Sequence, residues 1–582
     1  MLEVSEKNAS GSWNYSIQDE SFFTDETKSS GLDFVHEEGY NPDFKRETLL
    51  PHSFNQLGPA SATGDVNGDG IADLIISNAF NSRGPVLYLQ DENGKLRKSG
   101  SQPWAVMKET DVLGTLIFDA DADGDNDIYL SAGGAEHMWP NPKYKHRLYF
   151  NDGKGNFTEK KDALPDIKCS GSCVAGGDVD GDGDIDLFVA SRIKPGFYPE
   201  MGEVRSYLLK NDGGIFNDIT QFAAPDLMYP GMLCAAVFAD YNGDNLTDLI
   251  LAGEWMPVVF MKNTGSKLVN QTGEAGTAAM TGWFNSILPV DIDNDGDLDF
   301  VAGNKGDNSF FRANPEDNLR IYWADLDNNG RANDLWLSYT RAGKEYPYYS
   351  LDEMAESYPT FMRKRFTTYT EYAGKSIDQI FDVDNLKKNS LKASEFSNLL
   401  LRNNGGVFSI EHLPMFAQAG PIYGLIACDV DGNGFQDIIG IGNNFSTRVQ
   451  HGKDDAFNGF ILFNKEGQLT FNSGESNGFY VPGDGKSLVW LPGKSNGLTL
   501  IASQNKDKSL LFKEKKKKLR FIPAPKGSIY AKVQLKSGKT RVESTGFGAG
   551  YISGSAPGVW INEQVSGVQF VMANGKTTSV SI

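Results

Sequence analysis

The amino-acid sequence predicts an all-β protein: a seven-bladed β-propeller, or alternatively an eight-bladed one, with acidic cation-binding loops, a helical insertion and a small C-terminal β-domain. Three observations carry this reading. A nine-residue acidic pattern recurs seven times, a short apolar run of strand type follows most copies, and a strand, a Gly/Asn turn and a return strand come further on, as in RLYFNDGKGNFTE and NLLLRNNGGVFSI. Four antiparallel strands per unit of roughly 40–60 residues is the radial repetition by which a propeller hides most sheet edges.

The acidic pattern is clearest in GGDVDGDGDIDLFVASR, residues 176 to 192. Alone, such closely spaced carboxylates repel one another. A hard cation reverses that, because Ca²⁺ takes six to eight oxygens and a loop of the EF-hand kind supplies them from positions 1, 3, 5, 7 and 9, with a sharp turn at position 6. Here Asp178, Asp180, Asp182 and Asp186 stand at positions 1, 3, 5 and 9, Gly183 at 6, and the carbonyl of Asp184 at 7. Position 12 is Val189 rather than Glu, and LFVA suits a buried strand, so the loop is present without the EF-hand helix.

The other copies place Asp65, Asn67, Asp69 and Asp73; Asp119, Asp121, Asp123 and Asp127; and Asp240, Asn242, Asp244 and Asp248 at the same four positions. Asp291, Asp293, Asp295 and Asp299 follow, then Asp325, Asp327, Asn329 and Asn333, and last Asp429, Asp431, Asn433 and Asp437. The position 7 carbonyls belong to Ile71, Asp125, Leu246, Asp297, Arg331 and Phe435. The Asp325 copy is the weakest, with two Asn in place of carboxylates. Mg²⁺ suits these loops less well, since it prefers a smaller octahedral shell and keeps its waters. Up to seven Ca²⁺ are therefore expected.

Spacing sets the boundaries. Copies start 54, 59, 62, 51, 34 and 104 residues apart, so the fifth unit is short and the sixth swollen. The swelling, about 340–396, carries the capping-box patterns SLDE at Ser350 and SIDQ at Ser376 and reads as helical. After the Asp429 copy, SLVWLPGKSNGLTLIAS and SLLFKEKKKKLRFIP repeat the strand pattern without carboxylates. The expected division is an N-terminal extension at 1–30, the propeller at 31–524 and a β-domain of short strands and Gly turns at 525–582.

The formal net charge of −21 argues against a nucleic-acid partner, which calls for a basic face. Carboxylates at positions 1, 3, 5 and 9 number 23, and seven divalent ions would leave a net charge of about −7. No run reaches the roughly 18 apolar residues of a membrane helix, and MLEVSEKNASGSW has no signal-sequence character. Extracellular calcium modules bind weakly, at about 10⁻⁴–10⁻³ M, so an extracellular or cell-surface location is expected. Of four cysteines, Cys169 and Cys173 are close enough to pair, while Cys234 and Cys428 read as buried thiols.

These loops resemble the FG-GAP/VCBS repeat family, whose blades carry Ca²⁺ in DxDxDG loops. The C-terminal segment is similar to the ASPIC/UnbV module at Ala531, Lys532, Val533, Glu543, the GFGAGYISGS of Gly546 to Ser555, and Val571 through Lys576. With SGLDFVHEEGYNPDF, GEWMP and AGNKGDNS, the whole resembles bacterial homologues of cartilage acidic protein, which implies a surface protein, although no lipobox cysteine is present.

Catalytic residues are not evident. Ser495 in GKSNG lies between two expected strands, where a nucleophile elbow needs strand, turn and helix. The six histidines are scattered, and only His137 and His146, with Glu136, Trp139 and Arg147, gather in one loop, where a sugar-binding or lyase-type site is conceivable. Trp255 and Trp283 suit a core better than a funnel lining. The expectation is a calcium-stabilised surface scaffold binding a protein or glycan through face loops. A lyase-type carbohydrate-active enzyme, or a subunit of an outer-membrane assembly, is the alternative.

Overall fold

The computed structural model describes residues 21–39, 43–199, 204–325, 334–381, 389–548 and 550–582. Within them the chain is a propeller-like all-β fold in which a group of four antiparallel strands, called a sheet below, recurs; the second and third groups are joined by a parallel pairing of Gly171 with Gly133, and the first and fourth each carry a fifth strand. Sheet one comprises Ser61–Gly64, Asp73–Ile76, Val86–Gln90 and Leu96–Lys98. Sheet two holds Asp111–Phe118, Asp127–Gly133, Arg147–Phe150 and Thr158–Glu159. Sheet three holds Gly171–Gly177, Asp186–Ser191, Tyr207–Asp212 and Ile215–Asp218. In sheet four they are Met232–Ala239, Asp248–Met256, Val259–Asn263 and Leu268–Asn270. Sheet five takes Ser286–Val290, Asp299–Gly303, Leu399–Asn403 and Phe408–His412. Sheet six takes Ile422–Cys428, Asp437–Gly442, Phe460–Lys465 and Gln468–Ser473. Sheet seven takes Asp484–Trp490, Thr499–Asn505 and Leu510–Glu514.

The first strand of each sheet packs against the first strand of the next, and that of sheet seven packs back on sheet one. First and second strands are therefore covered on both faces, which is why runs such as MLCAAVFA and LFVAS are continuously apolar or small and buried throughout. Outer strands show more water-facing residues, as in Phe408–His412, where only the first residue is buried.

Sheet seven is completed by Phe23–Asp25, which pairs antiparallel with Phe512 to Glu514. That part of the expected N-terminal extension is thus a strand. The apolar side of the strand, Phe23, packs on Phe479 and Phe512 in the core between sheets six and seven.

The Asp325 copy does not begin a sheet of this cyclic array. Leu319–Ala324, Asp334–Arg341, Lys344–Pro347 and Ser390–Ala393 form a separate four-stranded sheet inserted between the second and third strands of sheet five. The hairpin NLLLRNNGGVFSI consequently belongs to the fifth unit, not the sixth, because it pairs with Phe300 to Ala302. Four short helices, Leu351–Ser357, Pro359–Arg365, Tyr369–Tyr372 and Ile377–Ile380, lie inside this insertion. The first begins with the expected capping box: Ser350 N–H donates to Glu353 at 3.0 Å and Glu353 N–H donates to Ser350 Oγ at 3.3 Å. The insertion shares one core with the array, and Trp255 and Trp283 fill that core alongside Trp336 and Met354.

The C-terminal segment is less separate than its composition suggests. Ser528–Leu535, Thr540–Ser544, Val565–Met572 and Thr577–Val580 make their own sheet. Between its second and third strands, however, residues 546–548 and 550–556 run into the middle of the array. Phe547 bridges to Gly176 and Gly550 to Ile287, and Ser553 and Gly554 lie parallel to Ser61 and Ala62. Leu488 N–H donates to Ser553 Oγ at 3.1 Å, and positions for a Cβ on Gly546, Gly550 and Gly554 come within 3.2 Å of backbone atoms of Phe238, Leu425 and Thr115. This stretch therefore touches the first strands of all seven sheets. Glycine is needed because Gly548 has φ +85° and a Cβ there would stand 2.9 Å from the carbonyl oxygen of Val174.

Gly548→Val should destabilise the whole array by ~1–3 kcal/mol, through left-handed strain and collision with strand backbone. Gly100→Ala, at a position with open space, should leave the denaturant midpoint unchanged. Equal midpoints for the two variants would contradict the axial placement.

Candidate metal centres

Each of the six described acidic loops joins the first strand of a sheet to its second, so that position 9 is the opening residue of the second strand. Two left-handed residues turn each loop. Position 6 is Gly70, Gly124, Gly183, Gly296 or Gly434, or Asn245 in the fourth loop, and position 4 is left-handed as well, as at Gly68 with φ 73° and Gly181 with φ 79°.

Backbone N–H groups then fix the carboxylates. In the loops of Asp65, Asp178, Asp240 and Asp429 the position 1 aspartate accepts from positions 4 and 6, as Asp178 does from Gly181 at 2.7 Å and Gly183 at 3.0 Å, while Asp291 accepts from positions 5 and 6. Position 7 N–H donates to the position 5 oxygen in all six described loops, from Ile71 to Asp69 at 2.9 Å, Asp125 to Asp123 at 3.1 Å, Asp184 to Asp182 at 3.0 Å, Leu246 to Asp244 at 3.1 Å, Asp297 to Asp295 at 2.9 Å and Phe435 to Asn433 at 2.8 Å. With these turns made, carboxylate oxygens converge. Asp119, Asp121 and Asp127 bring three within 4.8 Å of one another, and so do Asp178, Asp180 and Asp186; Asp240, Asp244 and Asp248; Asp291, Asp293 and Asp295; and Asp429, Asp431 and Asp437. The first loop, with Asn67 at position 3, is turned in the same way: Asp65 accepts from Gly68 and Gly70, both at 2.8 Å. Of the Asp325 loop, Asp327, Asn329, Arg331 and Asn333 lie outside the described residues.

The donor set fits a hard cation. Oδ1 atoms of Asp119, Asp121, Asp125 and Asp293 are buried without a hydrogen-bond donor, an arrangement that costs free energy unless a charge faces them. Basic side chains supply part of that charge at the loop rims. Lys210 pairs with Asp180 and stands 3.1 Å from Asp182, Lys262 stands 3.1 Å from Asp244, Arg402 2.9 Å from Asp293 and Lys526 3.1 Å from Asp119. Hard oxygen donors without nitrogen or sulfur suit Ca²⁺, and a bound ion would neutralise the clustered charge and tie the loop ends together.

One recurring feature is absent from the sequence reading. Position 9 carboxylates accept two backbone N–H groups, one from position 2 of the loop and one from the end of the third strand. Asp186 accepts from Val179 at 2.9 Å and Asn211 at 2.8 Å, and Asp73, Asp127, Asp248, Asp299 and Asp437 repeat this with Gln90, Asn151, Asn263, Asn403 and Asn464. The five Asn side chains then reach backwards. Asn211 Nδ2 donates to Ile185 O in its own loop at 3.2 Å and to Ala120 O, in the loop of the preceding sheet, at 2.8 Å. Asn151, Asn263, Asn403 and Asn464 make the same bond to the preceding loop at Val66, Val179, Tyr241 and Ile292. Five of the six described acidic loops are thereby tied to the next sheet. The signal was the Asn that opens FND, KND, KNT, RNN and FNK, which reads only as a turn former.

Burial first, and neighbouring carboxylates after it, push Asp73, Asp127, Asp186, Asp291 and Asp299 up to about 7 and Asp248 to about 8. The described cysteines are free and buried, so Cys169 and Cys173 are not bridged. Ser495 lies in an exposed turn between two strands.

A carboxyl raised in the folded state stabilises it fully below the ordinary carboxyl range, and that contribution disappears as pH rises through the folded value. Metal-free protein should therefore lose stability between about pH 4 and pH 8, and calcium should restore it most at the high end, which melting curves across pH will check. Asn211→Ala should cost ~1–3 kcal/mol by leaving two buried carbonyls unpaired, with calcium affinity of the third loop reduced in titration calorimetry.

Comparisons with known proteins bear on these loops. No curated protein matches the chain in sequence. Among solved structures, BBS1N in complex with ARL6DN has a TM-score of 0.39 at 11% identity, over 85% of this chain and 97% of that one. The V. cholerae biofilm matrix protein Bap1 gives 0.32 at 12% identity, over 83% and 90%, and YCF48 bound to D1 peptide gives 0.35 at 9% identity, over 83% and 99%. Residues 65–130, 178–251 and 240–302, which span the first five acidic loops, match the FG-GAP-like repeat.

Proposed function

We propose that this chain is a seven-bladed propeller whose acidic loops bind Ca²⁺, and that it acts outside the cell as a binding or scaffold protein. The observation that carries the reading is the shared architecture of six loops, five of which converge three carboxylate oxygens. Loops with this donor set fill at extracellular calcium levels of about 10⁻⁴–10⁻³ M. The C-terminal sheet and its axial stretch are the ASPIC/UnbV-like module of this architecture.

Recognition falls to the face opposite the acidic loops, formed by connections from second to third strands and from each sheet to the next. Large exposed apolar side chains gather in those connections: Phe222 and Tyr229 between sheets three and four, Met415 and Phe416 between five and six, and Val449 within six. Met415 is 76% and Val449 96% exposed, which marks the face as a contact surface for a protein or glycan.

Capture from a cell-surface extract tests this. The wild-type protein should retain a partner in millimolar calcium and release it with chelator, and the double variant Met415→Ser with Phe416→Ser should capture less. Calcium-independent capture, unaffected by the double variant, would refute the reading.

A further inference from the structure

On the same face, between sheets two and three, lies a cavity of about 620 Å³, within the range that holds small ligands. Its wall is aromatic. Trp139 donates its backbone N–H to Pro195 O at 3.1 Å, and its ring stacks on that of Tyr144 with centroids 6.4 Å apart and planes 27° from parallel. Tyr144 is in turn held by both main-chain groups of His137, donating to its carbonyl at 2.8 Å and accepting from its N–H at 3.1 Å. Few rotatable bonds are left for a ligand to order. Leu148 and Ile167, both buried, give the cavity an apolar floor.

The rim has the opposite charge to the rest of the molecule. Lys145, Lys160, Lys161 and Lys168 are exposed, and Arg147 is half-buried. Two carboxylates answer these five cations: Glu159, 2.6 Å from Arg147, and Asp166, 3.0 Å from Lys168. A surplus of positive charge in a chain of net charge −21 focuses the local field on anions. His146, which the sequence offers as a proton-transfer group, is buried against Tyr129 OH at 2.9 Å, and burial lowers it to about 4. It is a neutral packing residue, so the cavity binds and does not catalyse through it.

We propose that this cavity binds a short uronic-acid oligosaccharide or chain end, a sugar face lying on Trp139 and its carboxylates among Lys145, Lys160, Lys161 and Lys168. A flat aromatic wall beside a cationic rim matches a ring with an apolar C–H face and an equatorial carboxylate. An acidic peptide would satisfy the rim and leave the wall unused. The inference rests on the reading of the chain as a binding protein and names one class of ligand for it.

Calorimetric titration of calcium-loaded protein tests the assignment with trigalacturonate, maltotriose and triglutamate. Trigalacturonate should bind, more weakly at high salt, and the other two should bind at least tenfold less well. Trp139→Ala and the pair Lys160→Ala with Lys161→Ala should each weaken trigalacturonate by roughly tenfold or more. Should either variant melt early, Lys161→Glu alters only an exposed side chain and should give the same loss. Absence of trigalacturonate binding, tighter binding of triglutamate, or equal affinity in Lys161→Glu would overturn the site. None of those results touches the calcium-dependent capture through Met415 and Phe416, so failure of the site and failure of the binding reading are separable.

Discussion

The structure depends on a carboxylate placed at the start of a buried strand. Asp186 and its counterparts open the second strand, and each accepts one N–H from the acidic loop and one from the third strand's end. The two N–H groups reach different oxygens of Asp186; an amide would turn its NH2 towards one of them, whereas a carboxylate offers an acceptor on both sides and no competing hydrogen. The cost is charge in a region of low dielectric, beside further aspartates. A bound divalent ion would remove that cost, and the Asn of the next element links each such carboxylate to the preceding loop. With such an ion bound, metal, loop and sheet contact would form one cooperative unit.

Closure of the array uses two other devices. Phe23–Asp25 supplies the outer strand of sheet seven, joining the beginning of the described chain to its later part. Residues 546–548 and 550–556 fill the axis that the converging first strands leave open, and small residues allow them to approach backbone on every side. A ring held only by its neighbours can spread. A ring with an occupied axis and a shared edge strand resists spreading, which makes the C-terminal segment part of the array's stability and not an appendage.

The acidic loops were legible in sequence because ligand spacing is set by local geometry: oxygens at 1, 3, 5 and 9 with left-handed residues at 4 and 6 leave a pattern nine residues long. Asn211 and its equivalents were not, since their role depends on a neighbour 91 residues away and an Asn before Gly already has a local explanation. The Asp325 pattern misled for a related reason: the same local motif occurs in an inserted sheet, and only pairing of Phe300 to Ala302 with Leu399 to Leu401 shows where the fifth unit resumes. GFGAGYISGS reads locally as a turn-rich segment, and nothing in its own composition states that its glycines and Ser553 face seven strands. His146 shows the limit for sites: sequence places it in a promising loop, while burial makes it neutral.

The two faces divide the work. The acidic loops lie on one face, and the longer connections on the other present Phe222, Tyr229, Met415, Phe416 and Val449 together with the cationic rim of the cavity. Native mass spectrometry of protein purified without chelator measures the central claim most directly. The account predicts five or more calcium ions per chain, lost on treatment with EDTA as the melting temperature falls; a metal-free chain with the same melting temperature in calcium and in EDTA would contradict it.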